Sequence, residues 1–158
     1  MKGISLIISV ISLLAFEGCK LNPQKTKSVT FEKQAILSMK APKPIGPYSQ
    51  AIRTGDLVFI SGQIALNNFG VLDTSNIKNE TAQVMKNLEE ILKESGMTFK
   101  NVVKTTIYLR DMNKFSEVNQ VYAGFIENTI APARETIEVS ALPKGANIEI
   151  SMIAVQQP

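Results

Sequence analysis

Arg134 and Glu149 are two side chains whose types could take part in chemistry. A guanidinium fork takes a carboxylate through two parallel hydrogen bonds, which lysine cannot reproduce. Taken alone, Arg134 in the step Ala131-Pro132-Ala133-Arg134-Glu135-Thr136 also reads as a surface residue. Glu149 interrupts the apolar run Ile148 to Val155, either as an exposed strand position or as a group that orients water. Gly62, in Ser61-Gly62-Gln63, either forms a bulge or lets a ligand approach backbone N–H groups closely. Tyr48 follows three prolines and a glycine in a stiff segment, as a packing ring or as a hydroxyl offered to a site. Asn119 reads as a solvated helix position. Thr136 reads as a β-branched strand residue, since no histidine exists to activate its hydroxyl.

Two absences narrow the chemistry further. With no histidine, Ser-His and Cys-His pairs, histidine shuttles and the common histidine-containing zinc sites are excluded. The single cysteine, Cys19, allows neither an internal disulfide nor a thiolate metal cluster. Catalysis is left to carboxylates, Arg, Lys, Tyr, hydroxyls, backbone groups and water.

The formal charge of +3 is unevenly placed. Residues 20 to 40 hold five lysines against Glu32, whereas residues 41 to 158 hold 11 basic and 12 acidic residues, a net −1. The folded part therefore lacks the electrostatic footprint of a nucleic-acid binder.

The elements that must position these residues are legible in the periodicity. A strand is expected over Lys33 to Ser38, then the proline-rich turn APKPIGPY, then a hairpin of Gln50 to Thr54 and Leu57 to Ser61 about Gly55-Asp56. Ile77, Thr81, Val84, Leu88, Ile91 and Leu92 predict a helix over 76 to 95. Alternation predicts a strand over 103 to 110. Phe115, Val118, Tyr122 and Phe125 predict a second helix over 113 to 127, and strands are expected over Thr136 to Ser140 and Ile148 to Val155. The order βββαβαββ implies an α+β domain, one mixed sheet with both helices on one face.

Residues 1 to 18 read as a signal peptide of lipoprotein type. Lys2 precedes an uncharged, mostly apolar run of 13 residues, Ile4 to Phe16, too short to span a bilayer. Gly18-Cys19 then follows, as in bacterial lipoprotein precursors, where the cysteine is lipidated; Phe16 and Glu17 depart from the residues usual there. The alternatives are an uncleaved anchor or an ordinary signal with a chance cysteine. Residues 19 to 32 are a flexible Lys-rich tether, and the domain is expected over 33 to 158. This organisation implies a cell-envelope location with membrane attachment only through Cys19, or a cytoplasmic one if the segment is not a working signal.

Six blocks, in order, carry a resemblance: IGPYSQA (Ile45 to Ala51), SGQI (Ser61 to Ile64), VVKTTIYLRDM (Val102 to Met112), VNQVY (Val118 to Tyr122), PARETIEV (Pro132 to Val139) and LPKGANIEISMIAV (Leu142 to Val155). Together they resemble the RidA/YjgF family over about residues 33 to 156. The resemblance implies a chorismate-mutase-like fold, a barrel-like homotrimer and sites in the clefts between subunits. It implies hydrolysis of enamine/imine intermediates such as 2-aminoacrylate to 2-keto acids and ammonia, with neither metal nor cofactor. By matching position, Arg134 binds the substrate carboxylate with help from the Gly62 backbone, Glu149 stands near the attacking water, and Tyr48, Asn119 and Thr136 line the site. Many deaminases of the family carry cysteine where this chain has Thr136 and often glutamate where it has Ser151. Two other readings stay open: a module that binds a small carboxylate or a protein without turnover, and the older family label of endoribonuclease or translation inhibitor, against which the charge, the missing histidine and the export signal all argue.

Overall fold

The computed structural model describes residues 32–127 and 130–156, which lie in the unit Phe31–Pro158. The expected signal peptide and, apart from Glu32, the expected tether with Cys19 lie outside the described residues.

Among the described residues, eight helices and strands follow in the expected order. They are β1 (Gln34–Ile36), β2 (Ala51–Thr54), β3 (Leu57–Gln63), α1 (Ile77–Glu94), β4 (Val102–Leu109), α2 (Phe115–Ile126), β5 (Ala133–Glu138) and β6 (Ile148–Val155). The strands form one six-stranded sheet in the order β1-β2-β3-β6-β4-β5. Every pairing is antiparallel except β4 with β5, which is parallel and therefore needs the crossover that α2 supplies.

Local chemistry sets the boundaries. Gly55 turns the β2–β3 hairpin at φ 56. The Asn76 side chain caps α1 by accepting from the Asn79 N–H at 2.9 Å, and Gly96 at φ 71 follows the helix end. Along α1, Ile77, Val84, Met85, Leu88, Ile91 and Leu92 are buried on one stripe. Alternate residues of the strands meet them: Val58 and Ile60, Ile107 and Leu109, then Ile148, Ile150, Met152 and Ala154. Fully burying each Leu or Ile stabilises the fold by about 1.5–3 kcal/mol. Both helices pack on this face. The opposite face keeps Leu57 and Phe59 substantially exposed.

Three expectations need correction. β1 stops at Ile36 instead of Ser38 because the fully buried Gln50 captures the chain there. The Ser38 N–H donates to Gln50 Oε1 at 2.6 Å, and Gln50 Nε2 donates to the carbonyls of Pro42 at 2.8 Å and Ser38 at 3.1 Å. One amide thus satisfies backbone groups that a proline-rich loop cannot pair with itself. The second helix begins at Phe115, preceded by a 3-10 turn over Met112–Lys114 in which Asp111 accepts from the Asn113 N–H at 2.9 Å. Finally, β5 starts at Ala133, three residues before the expected Thr136, so Arg134 belongs to a strand and not to a loop. Its sequence ARETIE alternates poorly in polarity, and its pairing with β4 holds it extended. Among the described residues no helix is long and apolar enough to cross a membrane.

Candidate functional site

Glu149 lies at the entrance of β6, paired across the sheet with Tyr108 on the face away from the helices. The ladder between β3 and β6 shifts register between Ile60 and Gln63, and Gly62 sits within that irregularity. The Glu149 carboxyl fills the space where a side chain at Gly62 would stand: a β-carbon there would collide with Oε1 and lie 2.7 Å from Cδ. The bulge reading of Gly62 holds, and the group that approaches it closely is a carboxylate of the same chain.

A cavity of about 230 Å³ opens at this point, lined by Ile45, Tyr48, Ser61, Gly62, Ile64, Pro143 and Glu149. Its walls are mostly apolar, and burial pushes the Glu149 carboxyl above the ordinary glutamate range. The loop that supplies Tyr48 is tied down. The Tyr48 hydroxyl accepts from the Ile45 N–H at 3.2 Å, the Ser61 hydroxyl donates to the Ser49 carbonyl at 2.7 Å, and the Ser61 N–H donates to the Gln50 carbonyl at 3.0 Å. Among the described residues the Tyr48 hydroxyl donates no hydrogen bond of its own.

Arg134 is elsewhere. It pairs in register with Thr105, which points into the core beside α2, whereas Glu149 pairs with Tyr108. Thr105 and Tyr108 are an odd number of positions apart on one strand, so Arg134 and Glu149 project from opposite faces of the sheet. The Arg134 guanidinium stacks 5.0 Å from the Tyr122 ring centroid and 5.8 Å from that of Phe115, both on α2. Tyr122 is itself fixed by donating its hydroxyl to Thr105 Oγ1 at 3.1 Å. Burial raises the Tyr122 phenol's pKa, opposed by the Thr105 bond and the Arg134 charge. The neighbouring Glu135 turns to the other face, where it pairs with Lys104 and accepts from the Thr106 hydroxyl at 2.6 Å. Among the described residues Arg134 has no ion pair.

Beside Arg134 lie two orphans. Asn119 Oδ1 and Thr136 Oγ1 are buried and have no hydrogen-bond partner among the described residues. Buried polar atoms without partners cost about 1–3 kcal/mol each, which makes their coincidence around one arginine informative. The six residues singled out in the sequence thus fall into two clusters. Gly62, Tyr48 and Glu149 share the cavity; Arg134, Asn119 and Thr136 share the α2–β5 seam; no single chain joins them.

The platform under Arg134 escaped sequence reading, because Phe115 and Tyr122 fall on the apolar stripe of α2 and read as packing. Their pairing with a strand arginine was the available signal. Pro143 and Ile45 were likewise unremarkable until the loops placed them around Glu149.

Comparison with known proteins agrees with this architecture. The family described as Endoribonuclease L-PSP matches residues 38–156. The chain is 46% identical over 127 residues to the 2-iminobutanoate/2-iminopropanoate deaminase of Mus musculus, covering 80% of this chain and 93% of that one. A structure from Yersinia pestis, described as a protein of the conserved Rid family, is 46% identical with a TM-score of 0.77, covering 78% and 99% of the two chains. The Escherichia coli TdcF structure with bound serine is 31% identical with a TM-score of 0.76, covering 78% and 99%. One mixed sheet with two helices on one face, reached through the six sequence blocks in order, and a match spanning almost the whole described unit make this chain a member of the RidA/YjgF family.

Proposed function

We propose that the protein hydrolyses small 2-imino acids to 2-keto acids and ammonia, at sites built from two subunits of a homotrimer. The observation that carries the reading is the split of the polar residues between two sheet faces. Each cluster lacks what the other holds: an uncompensated cation beside orphaned acceptors, and a desolvated carboxyl over an open cavity. Apposition of the α2–β5 seam of one protomer with the Glu149 cavity of the next completes one site, and closed cyclic symmetry repeats it.

In this site Arg134 takes the substrate carboxylate in a two-point grip and sets the imine carbon before Glu149. Water oxygen bonds to that carbon as the C=N π pair moves to nitrogen, and a water proton passes by way of Glu149 to the nitrogen. Glu149 then carries the carbinolamine's hydroxyl proton to the nitrogen as the C–N bond breaks, its electron pair leaving with the nitrogen while the C=O forms, which releases the keto acid and ammonia. A carboxyl held by burial above the ordinary glutamate range suits both transfers. An imine is already electrophilic, so positioning supplies most of the acceleration. Support comes from the name of the mouse relative and from the serine held by TdcF, an amino acid of the size proposed.

Release of keto acid and ammonia from 2-iminopropanoate generated in situ tests the reading, with Arg134→Ala as control. Equal rates for both proteins would remove the arginine from the site. Saturable binding without product would favour a carboxylate-binding module instead. We also propose an envelope location with Cys19 as lipid anchor; the mass of the mature protein, which a diacylated or triacylated Cys19 would change, decides it.

A further inference from the structure

Four exposed large apolar side chains outside the site gather at one place. Phe69 is 92% exposed, Met39 74%, Val71 60% and Leu37 57%. Scattered single residues of this kind need no explanation, but a cluster does. Phe69 stands at the apex of a tip closed by the Leu66–Leu72 bridge. Asn67 Oδ1 accepts from the N–H groups of Phe69 at 2.9 Å and Val71 at 3.0 Å, its own N–H donates to the Val71 carbonyl at 2.9 Å, and Gly70 turns at φ 77. The phenyl ring is therefore displayed on a preformed loop whose ordering cost falls on folding and not on binding.

Two hollows adjoin the tip and share Asn68. One, about 330 Å³, is walled by Leu37, Met39 and Lys43; the other, about 300 Å³, by Phe69, Lys40 and Lys86. Glu90 is the one acid lining either of them, and it is already paired with Lys93 at 2.9 Å. Lys40, Lys43 and Lys86 have no ion pair among the described residues. The domain is nearly neutral as a whole, yet this surface is apolar at its apex and cationic around it. Such a pattern matches a surface that is anionic over a broad plane and apolar just beneath.

We propose that the Asn67–Val71 tip and its lysine border form a docking surface for a bilayer containing anionic phospholipid. Phe69 enters the acyl boundary while Lys40, Lys43 and Lys86 keep their ammonium groups at the headgroup phosphates. The tip lies outside the proposed deaminase site, although Lys43 also borders a small hollow with Ile45, Tyr48 and Gly62, and docking there does not depend on lipidation of Cys19. It would hold the domain in one orientation against the membrane.

The chain contains no tryptophan, so Phe69→Trp introduces a single reporter at the apex. The full chain carrying F69W is mixed with phosphatidylcholine vesicles, with and without phosphatidylglycerol, and with acyl chains brominated near the headgroup. The expected result is a blue-shifted emission, quenched by bromine, that requires phosphatidylglycerol and weakens with salt. Adding Lys86→Gln should lower the docked fraction about five-fold in partition coefficient. A solvent-like emission still open to iodide on anionic vesicles overturns the proposal, even if the chain is held there by its N-terminal segment. A blue shift that is complete without vesicles overturns it too, because the ring would then be covered by protein.

Discussion

The Glu149 carboxyl occupies the volume that any side chain at Gly62 would need. Gly62→Ala must therefore move Glu149 or the bulge, at a cost of about 1–3 kcal/mol. The expected outcome is a lower melting temperature together with a fall in kcat, read by calorimetry and by keto-acid release. A fully active and equally stable variant would show that the carboxyl has another place to go.

Glu149 also gives a pH signature. Its folded-state pKa is raised by burial, so between the ordinary glutamate value and the raised one the folded protein binds more protons than the unfolded chain. Stability contributed by this group is then present in acid and lost as pH rises through the folded pKa. Glu149→Gln should accordingly raise the melting temperature at pH 7 and change it little near pH 4. Thermal melts at the two pH values check the sign, and a gain confined to acid would contradict it. In the wild type the same shift moves the acidic limb of the rate profile upward, since the base form disappears sooner than for an ordinary glutamate.

Much of this was legible beforehand. The helices, the hairpin and β6 announce themselves because one stripe or alternate positions are apolar. β5 was misplaced because ARETIE carries polar residues on both sides and is held by its partner strand, information that no local window contains. The site was harder still. Arg134 and Glu149 are close in sequence and far apart in orientation, and the parity of their partners on β4 emerges only once the register is known. Nothing in composition marks Gln50 as the clamp of the proline-rich loop.

A site split between subunits predicts complementation. Arg134→Ala and Glu149→Gln proteins should each be nearly inactive. After mixing, denaturing and refolding in equal amounts, about a quarter of the sites in random cyclic trimers should carry both native residues. Recovered activity near that fraction supports the shared site, whereas none would mean that both residues act within one chain.

Arg134→Lys separates charge from geometry. Lysine keeps the cation but loses the fork and the flat stacking on Tyr122 and Phe115. Loss of one charge-assisted hydrogen bond costs about 1.5–3 kcal/mol, so kcat/KM should fall roughly 10- to 100-fold, mainly through KM. Steady-state kinetics with 2-iminopropanoate measure it, and unchanged KM would argue that the carboxylate is held elsewhere.

The parallel pairing of β4 with β5 obliges the chain to cross over between them, and the crossing segment is α2 itself. The helix that permits the strand pairing thus also roofs the arginine on the second strand. Arg134 is placed by the path of the chain, and the rings it stacks on, Phe115 and Tyr122, belong to the crossing helix itself. Changes in the number of residues between Glu127 and Pro132 can then be absorbed without moving the cation, provided the helix still lies over the strand. The cation is anchored by topology, the carboxylate by the tight fit against Gly62, and mutation can loosen either anchor without disturbing the other.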